Sequence, residues 1–395
     1  MHSDRRISIT FTGLICILTI IITLLTQLPS VSGTFRPVMF AMWAIAFGVG
    51  IIKNRAVIPS KGFVLLFTAT VGIVWLECLI NYNTHIESYI AQVIPLPLIC
   101  YLVGALYAKT VSEKTVSDSL ITLFAVSLII FSYIFFTYIG SFDVWLNATK
   151  FLYEQKNSAA QIIGCTVIIS AFLIKPKSKW LVVGKYLALG FMFLIVIAMQ
   201  CRTSLIALLI TAAAYFVTIL KGRKKLAVGI ILIIAAVVVL SNDNLSRYVL
   251  KAFVWSEKQT RTVDDFTSGR LTVFKEAWDM FIGSPVIGTG HNRVDNMYLC
   301  VLSDLGLVGF IPIMALWGTR IVRNLAAFRR RRDSFTTCVF CLTIFYFCVS
   351  MAESYPPFGP GVCAFMFWVV CAFVDVREAY NVSPGIAETG LYFEQ

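Results

Sequence analysis

Runs of about 18 or more apolar residues alternate with short polar stretches along almost the whole chain. Each run is long enough to cross roughly 30 Å of hydrocarbon as a helix. Twelve such spans are predicted, at about 7–28, 36–52, 62–82, 86–107, 118–139, 157–174, 181–200, 203–220, 226–241, 297–318, 335–352 and 361–376. In lipid the backbone must satisfy its own hydrogen bonds, so runs of this length mean helices rather than barrel strands. The prediction is an all-α polytopic membrane domain over 1–376, with a polar tail over 377–395. One interruption stands out. Between 242 and 296 the pattern turns polar, and within it Leu271, Phe274, Trp278 and Phe281 keep a helical period. That spacing predicts an amphipathic helix from about Gly269 to Ile282, lying along a membrane face rather than crossing it.

Charge assigns the sides. The net charge of +12 gathers in alternate loops: Lys53, Arg55 and Lys61; Lys109 and Lys114; Lys175, Lys177 and Lys179; Lys221 to Lys225; and Arg320 to Arg332. With the N-terminus and C-terminus inside, every one of these becomes cytoplasmic, which is the positive-inside pattern. Topology alone accounts for the basic loops, so no nucleic-acid partner is implied. The outer face then holds 29–35, a turn near His85 and Glu87, 140–156, a tight turn near Arg202, the long loop 242–296 and the turn ESYPPFGPG at 353–361. Arg5 and Arg6 precede an apolar run longer than a cleavable signal core and without an A-x-A exit, so the first segment reads as a retained span. The terminal AETGLYFEQ resembles a protease-site remnant and carries no functional weight.

Composition excludes some chemistry. Most of the eleven cysteines, including the pair Cys338 and Cys341, sit inside apolar runs and read as small packing residues. Three histidines and no H-E-x-x-H leave a structural metal without an evident ligand set, and no cofactor is expected.

Polar residues on the outer face each ask for a reason. Arg202, in MQCRTSLIALL, stands at a span boundary, where it either snorkels or presents a fixed fork to a phosphate. Arg270 opens the amphipathic helix, where free backbone amides also favour an anion. His291 and Asp295 lie in the irregular GSPVIGTGHNRVDN, and either is a candidate to remove a proton from a sugar hydroxyl. Asp295 and Asn296 also read as a helix cap at the membrane entry. Secondary candidates are Lys156, Asn157, Arg261, Arg293, Asn296, Tyr298 and Glu353.

These residues fall in an ordered series: K-N-S-A-A at Lys156 to Ala160, Q-C-R-T-S at Gln200 to Ser204, S-G-R at Ser268 to Arg270, a helix with Trp278, S-P-V-I-G-T-G at Ser284 to Gly290, and D-N-M-Y-L-C-V-L-S-D-L-G-L-V-G from Asp295 to Gly309. The series resembles the O-antigen polymerase and ligase superfamily of bacterial envelope glycan assembly (Wzy-type polymerases, WaaL-type ligases). The resemblance implies a GT-C-like, metal-independent glycosyltransferase of the bacterial inner membrane, with its active site on the periplasmic face. It implies a donor glycan on undecaprenyl pyrophosphate, gripped by Arg202 and Arg270, and a chain-length regulator as a candidate partner. Ligases of the superfamily carry His-Asn at the last motif, with that histidine as base. This chain has Asp295-Asn296 there and His291-Asn292 four residues earlier, which favours a polymerase over a ligase. A transporter is the reading from another class. It is disfavoured because the polar residues gather in one outer loop and the chain shows no internal repeat.

Overall fold

The computed structural model describes residues 11–53, 60–81, 93–108, 111–138, 156–220, 269–290, 294–359 and 361–379, with isolated positions between 221 and 241. The described residues form twelve helices and no strand: α1 (Phe11–Leu25), α2 (Pro29–Lys53), α3 (Lys61–Ile80), α4 (Pro95–Tyr107), α5 (Glu113–Tyr138), α6 (Lys156–Leu173), α7 (Lys179–Ala198), α8 (Arg202–Thr218), α9 (Arg270–Gly283), α10 (Met297–Arg331), α11 (Ser334–Ser350) and α12 (Gly361–Ala379). Six carry a stretch long and apolar enough to cross a membrane, in α2, α3, α5, α6, α7 and α10. Shorter apolar helices are α1, α4, α8 and α11. The described residues are those of an all-helical, polytopic membrane protein. The predicted span 226–241 falls almost wholly outside the described residues. The prolines of Ile94-Pro95-Leu96-Pro97 open α4 in its first turn, where a missing N–H costs nothing.

The bundle is layered by polarity. Helices α2, α3, α5 and α7 turn most of their length outward, with Phe40, Trp75, Phe136 and Leu187 exposed to the hydrocarbon. Helix α6 is the opposite case: nearly every residue from Ser158 to Leu173 is buried, and it is the least apolar of the six. A central helix meets protein on all sides, so it needs small residues more than greasy ones. At Gly164 an added Cβ would stand 2.7 Å from the Phe345 ring of α11. The surrounding core is aromatic: Trp317 packs on Phe367 (5.8 Å), Tyr346 on Phe367 (5.1 Å) and Phe67 on Trp368 (5.0 Å).

Helix α10 differs from its expected form. A single span over 297–318 was predicted, but the helix breaks at Gly306 (φ 55°, ψ −157°) and its two arms lie side by side. Tyr298 and Trp317 would stand about 28 Å apart on an unbroken helix rising 1.5 Å per residue. Instead Trp317 Nε1 donates to the Tyr298 hydroxyl at 3.3 Å. Met297–Leu305 is therefore a short arm folded back on the spanning arm Leu307–Arg331. Breaking a helix inside a bundle orphans backbone groups, and these are accounted for. The N–H groups of Leu307 and Val308 donate to the carbonyls of Pro285 and Val286 (2.9 and 3.1 Å). The carbonyls of Ser303 and Asp304 accept from Thr289 and Gly290 (2.8 and 2.9 Å). The loop Ser284–Gly290 thus replaces the two intrahelical bonds that the break removes. Such close approach requires glycine on both sides. A Cβ at Gly288 (φ 71°) would lie 2.5 Å from the Asp304 carbonyl, and one at Gly306 would enter the Val286 carbonyl.

Candidate functional site

The fold-back carries α9 and the short arm of α10 as neighbours, joined by the buried trio Ala277, Val294 and Cys300 with Phe274, Leu299 and Tyr355 around them. Only one side of α9 is used this way; Leu271 and Trp278 on the predicted apolar period stay exposed. The result brings the first residue of α9 beside the residues that precede α10. Arg270 Nη2 lies 3.4 Å from Asp295 Oδ2 and 4.0 Å from Glu353 Oε1, the latter from the turn after α11. The Arg270 side chain is 28% exposed, Asp295 44% and Glu353 10%.

Other elements reach the same cluster. Asn157, in the first turn of α6, donates from Nδ2 to Glu353 Oε1 at 2.8 Å. Its Oδ1 accepts from the Cys201 thiol at 3.3 Å, and that thiol also lies 3.5 Å from the Ser204 hydroxyl. Burial first, and then the charge of Glu353, push the Cys201 pKa above its ordinary value, which keeps it a neutral donor. The positive charge of Lys156 reaches the same sulfur. Arg202 opens α8, directly after Cys201, and stands close enough to Arg270 for the two positive charges to oppose each other. Positive charge gathered at the rim of a hydrophobic bundle favours an anion.

Asn296 fixes the entry of α10 in two ways. Its Oδ1 accepts from the Leu299 N–H at 3.0 Å as an N-cap, and its Nδ2 donates to the Met351 carbonyl at 3.1 Å. The second bond ties α10 to the turn that bears Glu353. Tyr298 points elsewhere. Its hydroxyl sits 3.1 Å from Ser350 Oγ and accepts from Trp317, so its described bonds hold the bundle together. His291, Arg293 and Arg261 lie outside the described residues. Among the described residues, no cluster of three or more His, Cys, Asp or Glu side chains has the geometry of a metal site.

Sequence reasoning did not single out Cys201. The signal was present: unlike the cysteines in apolar runs, it stands in a polar Q-C-R-T-S turn beside an arginine. An apolar cavity of about 130 Å³, lined by Trp43, Gly104, Tyr107, Phe335, Phe365 and Phe373 among others, lies elsewhere in the bundle. Its walls offer almost nothing to a sugar or phosphate.

The geometry defines a helical membrane protein with a cationic, partly open site where the starts of α6, α8, α9 and α10 meet the turn after α11. A family model described as O-antigen ligase matches residues 187–314, from within α7 to the spanning arm of α10. That interval contains Arg202, Arg270 and Asp295, and the match supports the O-antigen polymerase and ligase superfamily, whose members are glycosyltransferase-like enzymes. A search of curated proteins finds no match to the chain.

Proposed function

We propose that the protein is a surface-polysaccharide (O-antigen) polymerase of the bacterial inner membrane. It transfers glycan from undecaprenyl pyrophosphate to a hydroxyl of another lipid-linked repeat unit. The observation that carries the reading is Arg270 at the start of α9 beside the carboxylates of Asp295 and Glu353, with Arg202 at the start of α8 near enough for its charge to act on Arg270. In this reading the two guanidiniums grip the diphosphate and stabilise the charge that grows on it as the glycosidic bond breaks. Arginine offers bidentate, charge-assisted bonds for this, each worth roughly 1.5–3 kcal/mol, without a metal. Asp295 is the more exposed of the two carboxylates, so it is the more accessible proton acceptor of the pair. His291 keeps its candidacy as the alternative base. The site opens to the periplasm, because the basic loops 53–61, 175–179 and 329–332 belong to the cytoplasmic ends of their spans.

A ligase that moves finished polymer onto lipid A core is the second reading, favoured by the description of the matching family model. The replacement of His-Asn by Asp295-Asn296 at the last motif favours the polymerase. Deleting the gene separates them. A polymerase deletion leaves single repeat units on the surface glycan ladder, whereas a ligase deletion leaves none attached to core. EDTA should leave the purified enzyme fully active, and inhibition reversed by a divalent cation would reject the arginine mechanism.

A further inference from the structure

Arg270 faces two carboxylates that are held very differently. Glu353 is nearly buried and anchored by the 2.8 Å bond from Asn157. Asp295 is 44% exposed, and among the described residues Arg270 is its side-chain partner, at 3.4 Å. A charge-assisted N–H···O bond in its optimum is about 2.7–2.9 Å long. The Arg270–Asp295 contact is therefore a loose one, made by a carboxylate free to leave, at a guanidinium whose other neighbour is fixed. Arg202 adds a second positive charge that opposes that of Arg270. Carboxylates that reach Arg270 only at 3.4 and 4.0 Å meet its charge loosely, and a diphosphate can meet it with closer bonds.

We propose that Asp295 stands in for a donor phosphate oxygen on Arg270 in the substrate-free protein, and that the arriving diphosphate displaces it. Glu353 and Asn157 hold the guanidinium in place during the exchange. Displacement releases the Asp295 carboxylate only when the donor is seated, so proton removal is coupled to donor binding. In the transfer that follows, the acceptor hydroxyl oxygen bonds to the anomeric carbon as the bond from that carbon to the diphosphate oxygen breaks. The diphosphate leaves with the electron pair, and the hydroxyl proton passes to Asp295. This inference rests on the reading of Arg270 as the diphosphate anchor.

The coupling makes an unusual demand on one variant: removing the charge of Asp295 must improve binding while it abolishes transfer. Binding of undecaprenyl pyrophosphate to the purified full chain in detergent, by titration calorimetry, reads the first effect, and the initial rate of glycan transfer reads the second. D295N should bind about three- to tenfold tighter than the native protein and transfer at least a hundredfold more slowly. D295A repeats the measurement should the amide disturb the turn before α10. Equal or weaker binding by both variants, with binding lost in R270A, overturns the displacement and leaves the anchor standing. Undiminished binding in R270A removes the anchor and the displacement together.

Discussion

Two arginine–carboxylate groupings in this protein use the same chemistry to opposite ends. In the core of the bundle, Arg320 of α10 is wholly buried and bonds Asp375 of α12 through both terminal nitrogens at 2.8 and 2.9 Å. Tyr101 of α4 donates to the same carboxylate at 2.6 Å, Arg323 approaches it at 3.5 Å, and Phe63 of α3 covers Arg320 at 5.2 Å. Four helices meet on one buried, bidentate ion pair. At the candidate site, Arg270 meets Asp295 at 3.4 Å and Glu353 at 4.0 Å with exposed edges. Short, bidentate and dry bonds leave a ligand nothing to compete for. Long and partly wet ones do, and that contrast is why the first pair reads as architecture and the second as a site.

The contrast breaks most visibly where charge is stranded. Arg320→Ala leaves Asp375 buried beside a weaker partner, and removal of one member of such a pair costs about 3–5 kcal/mol. The expected outcome is a collapse of monodisperse protein on size exclusion in detergent. Next comes the clasp that places Arg270 beside Asp295. Gly306→Ala puts a side chain at φ 55° and into the Val286 carbonyl; the backbone conformation alone costs about 1–3 kcal/mol. Lower thermal stability together with lost transfer is expected, and unchanged melting would show that the loop Ser284–Gly290 does not fill the break. Tyr298→Phe removes a bond to Ser350 and leaves Trp317 Nε1 without its acceptor, at a cost of about 1 kcal/mol. Transfer should persist, since this hydroxyl faces the bundle. The smallest effect on the fold belongs to Arg270→Ala. A partly exposed pair at 3.4 Å contributes about 0–1 kcal/mol, so melting should barely move even though polymer formation disappears.

Much of this was legible from the chain because lipid imposes a simple rule on it. Apolar runs located most of the described helices, six of them long and apolar enough to cross a membrane, and the helical period of Leu271, Phe274 and Trp278 located α9 to within about one residue at each end. What the pattern hid is non-local. Gly306 in D-L-G-L-V-G reads as one tolerated glycine in an apolar run, since nothing nearby reveals that a loop some twenty residues earlier supplies the missing hydrogen bonds. The fold-back, and with it the adjacency of Arg270 and Asp295, follows from that pairing. In the sequence Lys156, Asn157, Arg202, Arg270, Asp295, Asn296 and Glu353 stand out one by one, as span boundaries, a helix start, a cap or a loop carboxylate. That they converge required the tertiary structure. Tyr298 shares their neighbourhood in sequence but turns inward, because its arm of α10 presents it to Ser350 and Trp317. Cys201 does not stand out in the sequence, because cysteine in a greasy chain is usually filler and its bond to Asn157 reaches forty-four residues back.

The central claim is that the loosely held guanidinium of Arg270 grips the donor diphosphate. The direct measurement is the rate at which purified R270A releases undecaprenyl pyrophosphate from a lipid-linked repeat unit, in protein whose melting temperature matches the native one. A fall of at least a hundredfold, with folding intact, is the predicted result. Turnover within about tenfold of the native rate would contradict it.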